Sequence, residues 1–145
     1  MSDFIRAMQV AAAGLSAQRA RMDVISANLA NAETTRTAEG GPYVRQRVVL
    51  RSGPAPTRFE DVLQAQEERA PVVQVAGISP DPRPPRMVYD PGHPDADAAG
   101  YVAMPNISVL EEMTDMMTAM RAYEANVKAV QATKGMAQAA LEIGR

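Results

Sequence analysis

The chain has 145 residues, a formal net charge of −2 and 22% charged residues, so it lacks both the basic surplus of a nucleic-acid binder and a polybasic block for an anionic membrane. It contains no Cys, which excludes a disulfide framework and any thiolate metal site. Aromatic residues amount to 4%, with no Trp, against 10 Met; this suits helix-on-helix packing by flexible side chains better than a compact aromatic core.

Proline divides the chain. All 11 Pro fall between Pro42 and Pro105, so two helix-permissive ends flank a helix-poor middle. The expected divisions are an N-terminal helix over 1–35, a Pro/Gly-rich and β-rich region over 36–105, and a C-terminal helix over 106–145.

Along the first of these, Phe4, Met8, Ala11, Leu15, Gln18, Met22, Ile25, Leu29 and Ala32 recur at alternating spacings of four and three. That is the seam of a coiled coil over about four heptads. The same thirty residues carry Arg6, Arg19, Arg21 and Asp23 and no apolar run long enough for a secretory signal. The stripe then meets ANLANAETT (27–35). Asn28 and Asn31 share a helix face at a point where several carbonyls lose their intrahelical partners. Ala27, Ala30 and Ala32 allow close approach, so the two amides can bond the turn or an adjoining subunit. Thr34, Thr35 and Gly40-Gly41-Pro42 end the helix and turn the chain.

The middle reads as short strands and turns. Val44, Val48 and Leu50 share one strand face; Arg45, Arg47 and Arg51 take the other, either solvated or facing an acidic partner. Residues 71–78 and 86–89 are further strands, and 100–103 a weaker one. DPRPP (81–85) and DPGHPDADAAG (90–100) are turn-rich. Residues 58–69 (RFEDVLQAQEER) read equally as a loop or a short helix.

The C-terminal end repeats the heptad pattern: Val109, Met113, Met116, Met120, Tyr123, Val127, Val130, Lys134, Ala137 and Leu141. Ser108 and Glu111 have capping-box spacing, acidic residues crowd the first turns, and Gly144 is a plausible stop. The fold class is therefore mainly α: long N- and C-terminal helices paired as a coiled coil, with a small β-rich central insert. The seam residues expected to pack or assemble are Met8, Leu15, Met22, Ile25, Leu29, Met113, Met116, Met120, Tyr123, Val127, Val130 and Leu141. Two helices alone leave Ile5, Val10, Val24, Leu110, Met117 and Ile143 off the seams. Burying each is worth about 1.5–3 kcal/mol, so neighbouring subunits are expected to complete the packing.

No catalytic, cofactor-binding or metal site emerges. His93 among Asp90, Asp95 and Asp97 lacks the spacing of a metal motif, and a tight polar turn is the commoner reading. A single His, with no P-loop and no GxGxxG, also argues against an enzyme. Asn106-Ile107-Ser108 has the form of a glycosylation acceptor but suits a helix start better.

ANLANAETT with GGPYVRQ (40–46), DPRPPRMVYDPGHPDADAAGYVAMPNI (81–107), EEMTDMMTAMRAYEANVKAVQATKGM (111–136) and ALEIGR (140–145) resemble the flagellar basal-body rod proteins. The likeness thins between about 52 and 70. Asn28, Asn31, Glu112, Arg121 and Asn126 carry the motifs of the wider rod and hook group, and the 90–102 loop narrows the likeness to a proximal-rod branch. Ala38 stands where many relatives have Pro, and Ile107-Ser108 where Val-Asn is more usual. The resemblance implies a self-assembling subunit of the periplasmic rod, exported through the flagellar type III apparatus without a cleaved signal peptide. Implied partners are further copies of itself, proximal and distal rod proteins and a rod-to-ring adaptor, with no nucleic acid, membrane insertion or cofactor. A soluble coiled-coil adaptor or export chaperone of the same system is the alternative.

Overall fold

The computed structural model describes residues 2–54 and 71–143. The ambiguous segment 58–69, Gly144 and the side chain of Ile143 lie outside them. Two helices, α1 (Ser2–Ala30) and α2 (Val109–Ile143), enclose four strands in sequence: β1 (Gln46–Pro54), β2 (Pro71–Pro80), β3 (Arg86–Tyr89) and β4 (Tyr101–Met104).

The end of α1 follows from its asparagines. The Asn31 backbone N–H reaches Ala27 O at 3.1 Å, and its side-chain amide donates to the same carbonyl at 2.9 Å. Thr34 Oγ1 donates to Asn31 Oδ1 at 3.1 Å. The Ala27 carbonyl thus takes a side-chain donor beside its helical N–H at the point where the helix stops. The chain reverses through Gly40 and Gly41, with φ of 88° and 77°, the left-handed region glycine enters freely. Tyr43 N–H then closes the loop on Thr34 O at 3.0 Å. At the other helix, Glu112 N–H bonds Ser108 O at 3.0 Å and Glu111 N–H approaches Ser108 Oγ at 3.4 Å, a cap on a first turn enriched in acid.

The helices pack side by side and antiparallel. A Cβ on Gly14 would stand 2.9 Å from the Asn126 amide, and Asn28 bonds Glu112 at 3.0 Å. Advancing from Gly14 to Asn28 therefore retreats equally along α2. The face α2 turns inward is displaced from the expected seam. Glu112, Ala119 and Thr133 are buried, and Met116, Tyr123, Asn126, Val130 and Ala137 half-buried. These positions also alternate by four and three. Val109, Met113, Met120 and Leu141, placed on the seam by apolarity, are exposed instead, as is Lys134, the polar residue that interrupts that seam. Close approach favours small residues (Ala11, Gly14 and Ala17 on α1, Ala119 on α2), and the inward polar groups are bonded. Asn126 Nδ2 donates to Ala122 O and Thr133 Oγ1 to Ala129 O, at 2.9 and 2.8 Å. On α1, Ile25 is buried and Leu15, Met22 and Leu29 half-buried, whereas Met8 is exposed.

β1 and β2 form an antiparallel pair from Gln46↔Pro80 to Pro54↔Pro71, with a register shift at Val49/Leu50. The pair lies across α1, where Tyr43, Gln46 and Ile78 line a groove with Ala20, Val24 and Ala27. Val24, expected to be wet, is buried here. β3 and β4 form a second antiparallel pair, closed by Tyr89 and Tyr101 with ring centroids 5.3 Å apart at 65°, an edge-to-face contact. Their connection is built on Asp turns: Asp90 Oδ1 accepts from Gly92 N, and Asp97 Oδ1 from Ala99 N and Tyr101 N. Asp95 ties this loop to the exit of α1, accepting from Thr35 Oγ1 at 2.8 Å.

Candidate functional site

Where α1 ends, α2 begins and β1 and β2 meet, six polar side chains converge. Asn28 and Glu112 are 1% and 0% exposed. The Asn28 amide is used to capacity. Its Nδ2 donates to Gln46 O at 2.9 Å and to Glu112 Oε2 at 3.0 Å. Its Oδ1 accepts from Gln46 N at 2.9 Å and from Tyr43 OH at 3.2 Å. Two donors and two lone pairs are an amide's full complement. Only the length and chemistry of Asn satisfy a strand backbone on one side and a carboxylate on the other.

Glu112 is held from two directions. Arg45 Nε donates to Glu112 Oε1 at 2.6 Å, and Arg45 NH2 pairs with the same oxygen. Arg45 also donates through NH1 to Asp81 Oδ2 at 3.1 Å, and its carbonyl accepts from Asp81 N at 2.7 Å. Arg83 completes the set, pairing with Asp81 Oδ2 at 2.9 Å. Burial alone would depress the Arg45 guanidinium; the bonds and charge of Glu112, then Asp81, outweigh it and push it above its usual value. Arg83, through its side chain and backbone N–H, and then Arg45 hold the Asp81 carboxyl well below the usual carboxylate range. Burial, then the Glu112 charge, raises the Tyr43 phenol.

The arginine row expected on one strand face is therefore split. Arg45 turns inward to the buried carboxylate, and Arg47 and Arg51 remain exposed. The motif residues separate likewise. Asn28 and Glu112 are partners; Asn31 ends α1; Asn126 abuts Gly14; Arg121 is exposed. Sequence reasoning missed Tyr43, Arg45, Asp81 and Arg83 as members of the cluster. The signal was a buried-type Glu at 112 beside the Met stripe, which needs a cation from elsewhere in the chain.

A cavity of about 230 Å³ opens beside the cluster, lined by residues including Pro42, Tyr43, Arg45, Asp81 and Arg83. It is smaller than ordinary ligand clefts. Among the described residues no cluster of His, Cys, Asp and Glu could hold a metal ion. His93 sits half-buried in its turn, with Nδ1 accepting from Asp95 N at 3.0 Å. No helix among the described residues is long and apolar enough to cross a membrane.

A bonded polar cluster ties both helices to a sheet, and large apolar side chains stand exposed on the helices. The chain belongs to the flagellar basal-body rod protein family. Residues 8–36 match the family described as flagella basal body rod protein. Residues 98–143 match the C-terminal family of flagellar basal body rod FlgEFG proteins. The chain is similar to the flagellar basal-body rod protein FlgC of Bacillus subtilis, 45% identical and covering 95% of this chain and 96% of that one. FlgC of Borreliella burgdorferi is 43% identical with 94% of each covered. FlgC of Salmonella typhimurium is 36% identical, again with 94% of each covered. These relatives are structural rod components, not enzymes.

Proposed function

We propose that this structural subunit of the flagellar basal-body rod serves the proximal part of the rod. Residues 1–35 and 106–145 form its helical domain and pair as a coiled coil lining the tube, while 36–105 faces outward. The observation that carries this reading is end-to-end likeness to FlgC over 92–95% of the chain, covering both helices and the loop between β3 and β4. The burial pattern on α2 supports the coiled coil: inward residues recur at alternating four and three, the spacing of a supercoiled seam. The Asn28–Glu112 cluster fixes the register of the helices, the best-attested use of a buried polar group.

In this role the chain is carried unfolded through the flagellar type III export apparatus into the periplasm. There it joins copies of itself and other rod proteins, near the rod-to-ring adaptor. A strain lacking the chain is expected to build no complete rod and not to swim, with both restored by the intact gene. Complete basal bodies and normal swimming in the deletion strain would remove the proposal.

A further inference from the structure

Among the described residues β1 pairs with β2 alone, and the first place on its other edge is filled by a side chain. Asp81 N–H bonds Arg45 O at 2.7 Å. Bonding alternates along an antiparallel pair, so the next residue, Gln46, turns its N–H and C=O away from β2. Its opposite number there is Pro80, which has no N–H to offer. On the outer side Gln46 meets the Asn28 amide instead. Gln46 N donates to Asn28 Oδ1, and Asn28 Nδ2 donates to Gln46 O, both at 2.9 Å. One N–H and one C=O are what a residue of a neighbouring strand presents. The amide stands in for a strand at this position.

It is also held in one orientation. Tyr43 OH donates to Asn28 Oδ1 at 3.2 Å, and Asn28 Nδ2 donates to Glu112 Oε2 at 3.0 Å. Turned over, the amide would set oxygen against oxygen and N–H against N–H. Glu112 belongs to α2, so the place is filled firmly only when both helices are docked. Farther along, exposed Arg47 and Arg51 put charge on β1, and Pro54 ends it; charge and proline are the usual guards of an open strand edge. Between them lies Val48-Val49-Leu50, an apolar run rich in the β-branched residues that favour strands.

We infer that Asn28 seals the edge of β1 against β1 of a second copy. Two copies carry identical edges, which can pair antiparallel about a two-fold axis. A copy whose α2 has not docked leaves Gln46 open, and that copy is the one prone to pair. The seal belongs to the single chain and holds whatever larger structure that chain joins.

The test compares full-length chains carrying Arg47→Thr and Arg51→Thr, with and without Asn28→Ala, so that the arginine guard is missing from both. At equal concentration the chain with Asn28→Ala is expected to form β-rich aggregates about tenfold faster, read by thioflavin T fluorescence. Adding Gln46→Pro, which takes away the edge donor, should return the rate to that of the chain with Asn28. Ala119→Leu in place of Asn28→Ala controls for lost stability: it strains the helix contact, leaves the seal intact and should not speed aggregation. Hydrogen exchange on the unsubstituted chain needs no variant to fold. There the Gln46 N–H is expected to exchange at least about tenfold more slowly than the Val48 N–H, although both face away from β2. Equal exchange at the two positions, no faster aggregation with Asn28→Ala, the same acceleration from Ala119→Leu, or no rescue by Gln46→Pro would each overturn the inference.

Discussion

At Asn28, four hydrogen bonds to three partners leave no capacity to spare, and the consequences of substitution differ by chemistry. Asn28→Asp removes both donors and sets a second carboxylate against Glu112. The expected loss is about 3–5 kcal/mol at neutral pH, shrinking on acidification as the new pair takes up a proton; thermal unfolding at pH 7 and pH 4.5 checks this. Asp81 sets a second pH dependence. Its folded-state carboxyl lies below the usual range, so its contribution is complete above the unfolded value of about 3.9. That contribution is lost as pH falls further toward the folded value. Asp81→Asn should flatten the acid limb of stability below pH 4, measured as Tm against pH. At Gly100, φ is 83° and an added Cβ would stand 2.9 Å from the Tyr89 ring. Gly100→Ala should therefore destabilise by about 1–3 kcal/mol, read by urea unfolding. Little of this was legible in sequence. Asn28 and Glu112 stood out as motif residues, but their pairing spans 84 positions. Arg45 was assigned to a strand face because alternation ignores a buried carboxylate needing a cation.

Among the elements, both helices and all four strands were legible from proline placement, heptad spacing and β-branched runs. The rotation of α2 was not. Apolarity chose Met113 and Met120; the structure chose Glu112 and Ala119, one position earlier, because close antiparallel packing selects small side chains and bonded polar ones. The difference is measurable. Ala119 is fully buried, so Ala119→Leu should cost about 1–3 kcal/mol by overpacking. Met120→Ala should change the stability of the isolated chain by less than about 0.5 kcal/mol and act instead on association. Gln18 adds a third case on α1. Its Oε1 is buried with no partner among the described residues, so Gln18→Met should stabilise by about 1 kcal/mol, again by urea unfolding.

For the whole molecule, the insert is no separate body hung from the helices. β1 and β2 lie on α1, and the loop between β3 and β4 is tied by Asp95 to the residues just after α1. The polar cluster joins all of these to α2. Sequence composition marked helix-permissive ends and a strand-bearing middle but could not show that they lock at one point, because the lock is made of Asn28, Glu112 and four scattered residues of the middle.

That lock has a temporal side. The first helix finds its polar partner only in a residue more than eighty positions later, so a chain made from its amino end stays unclasped until the second helix exists. The protein carries its own delay: the latch is at the trailing end of the strap.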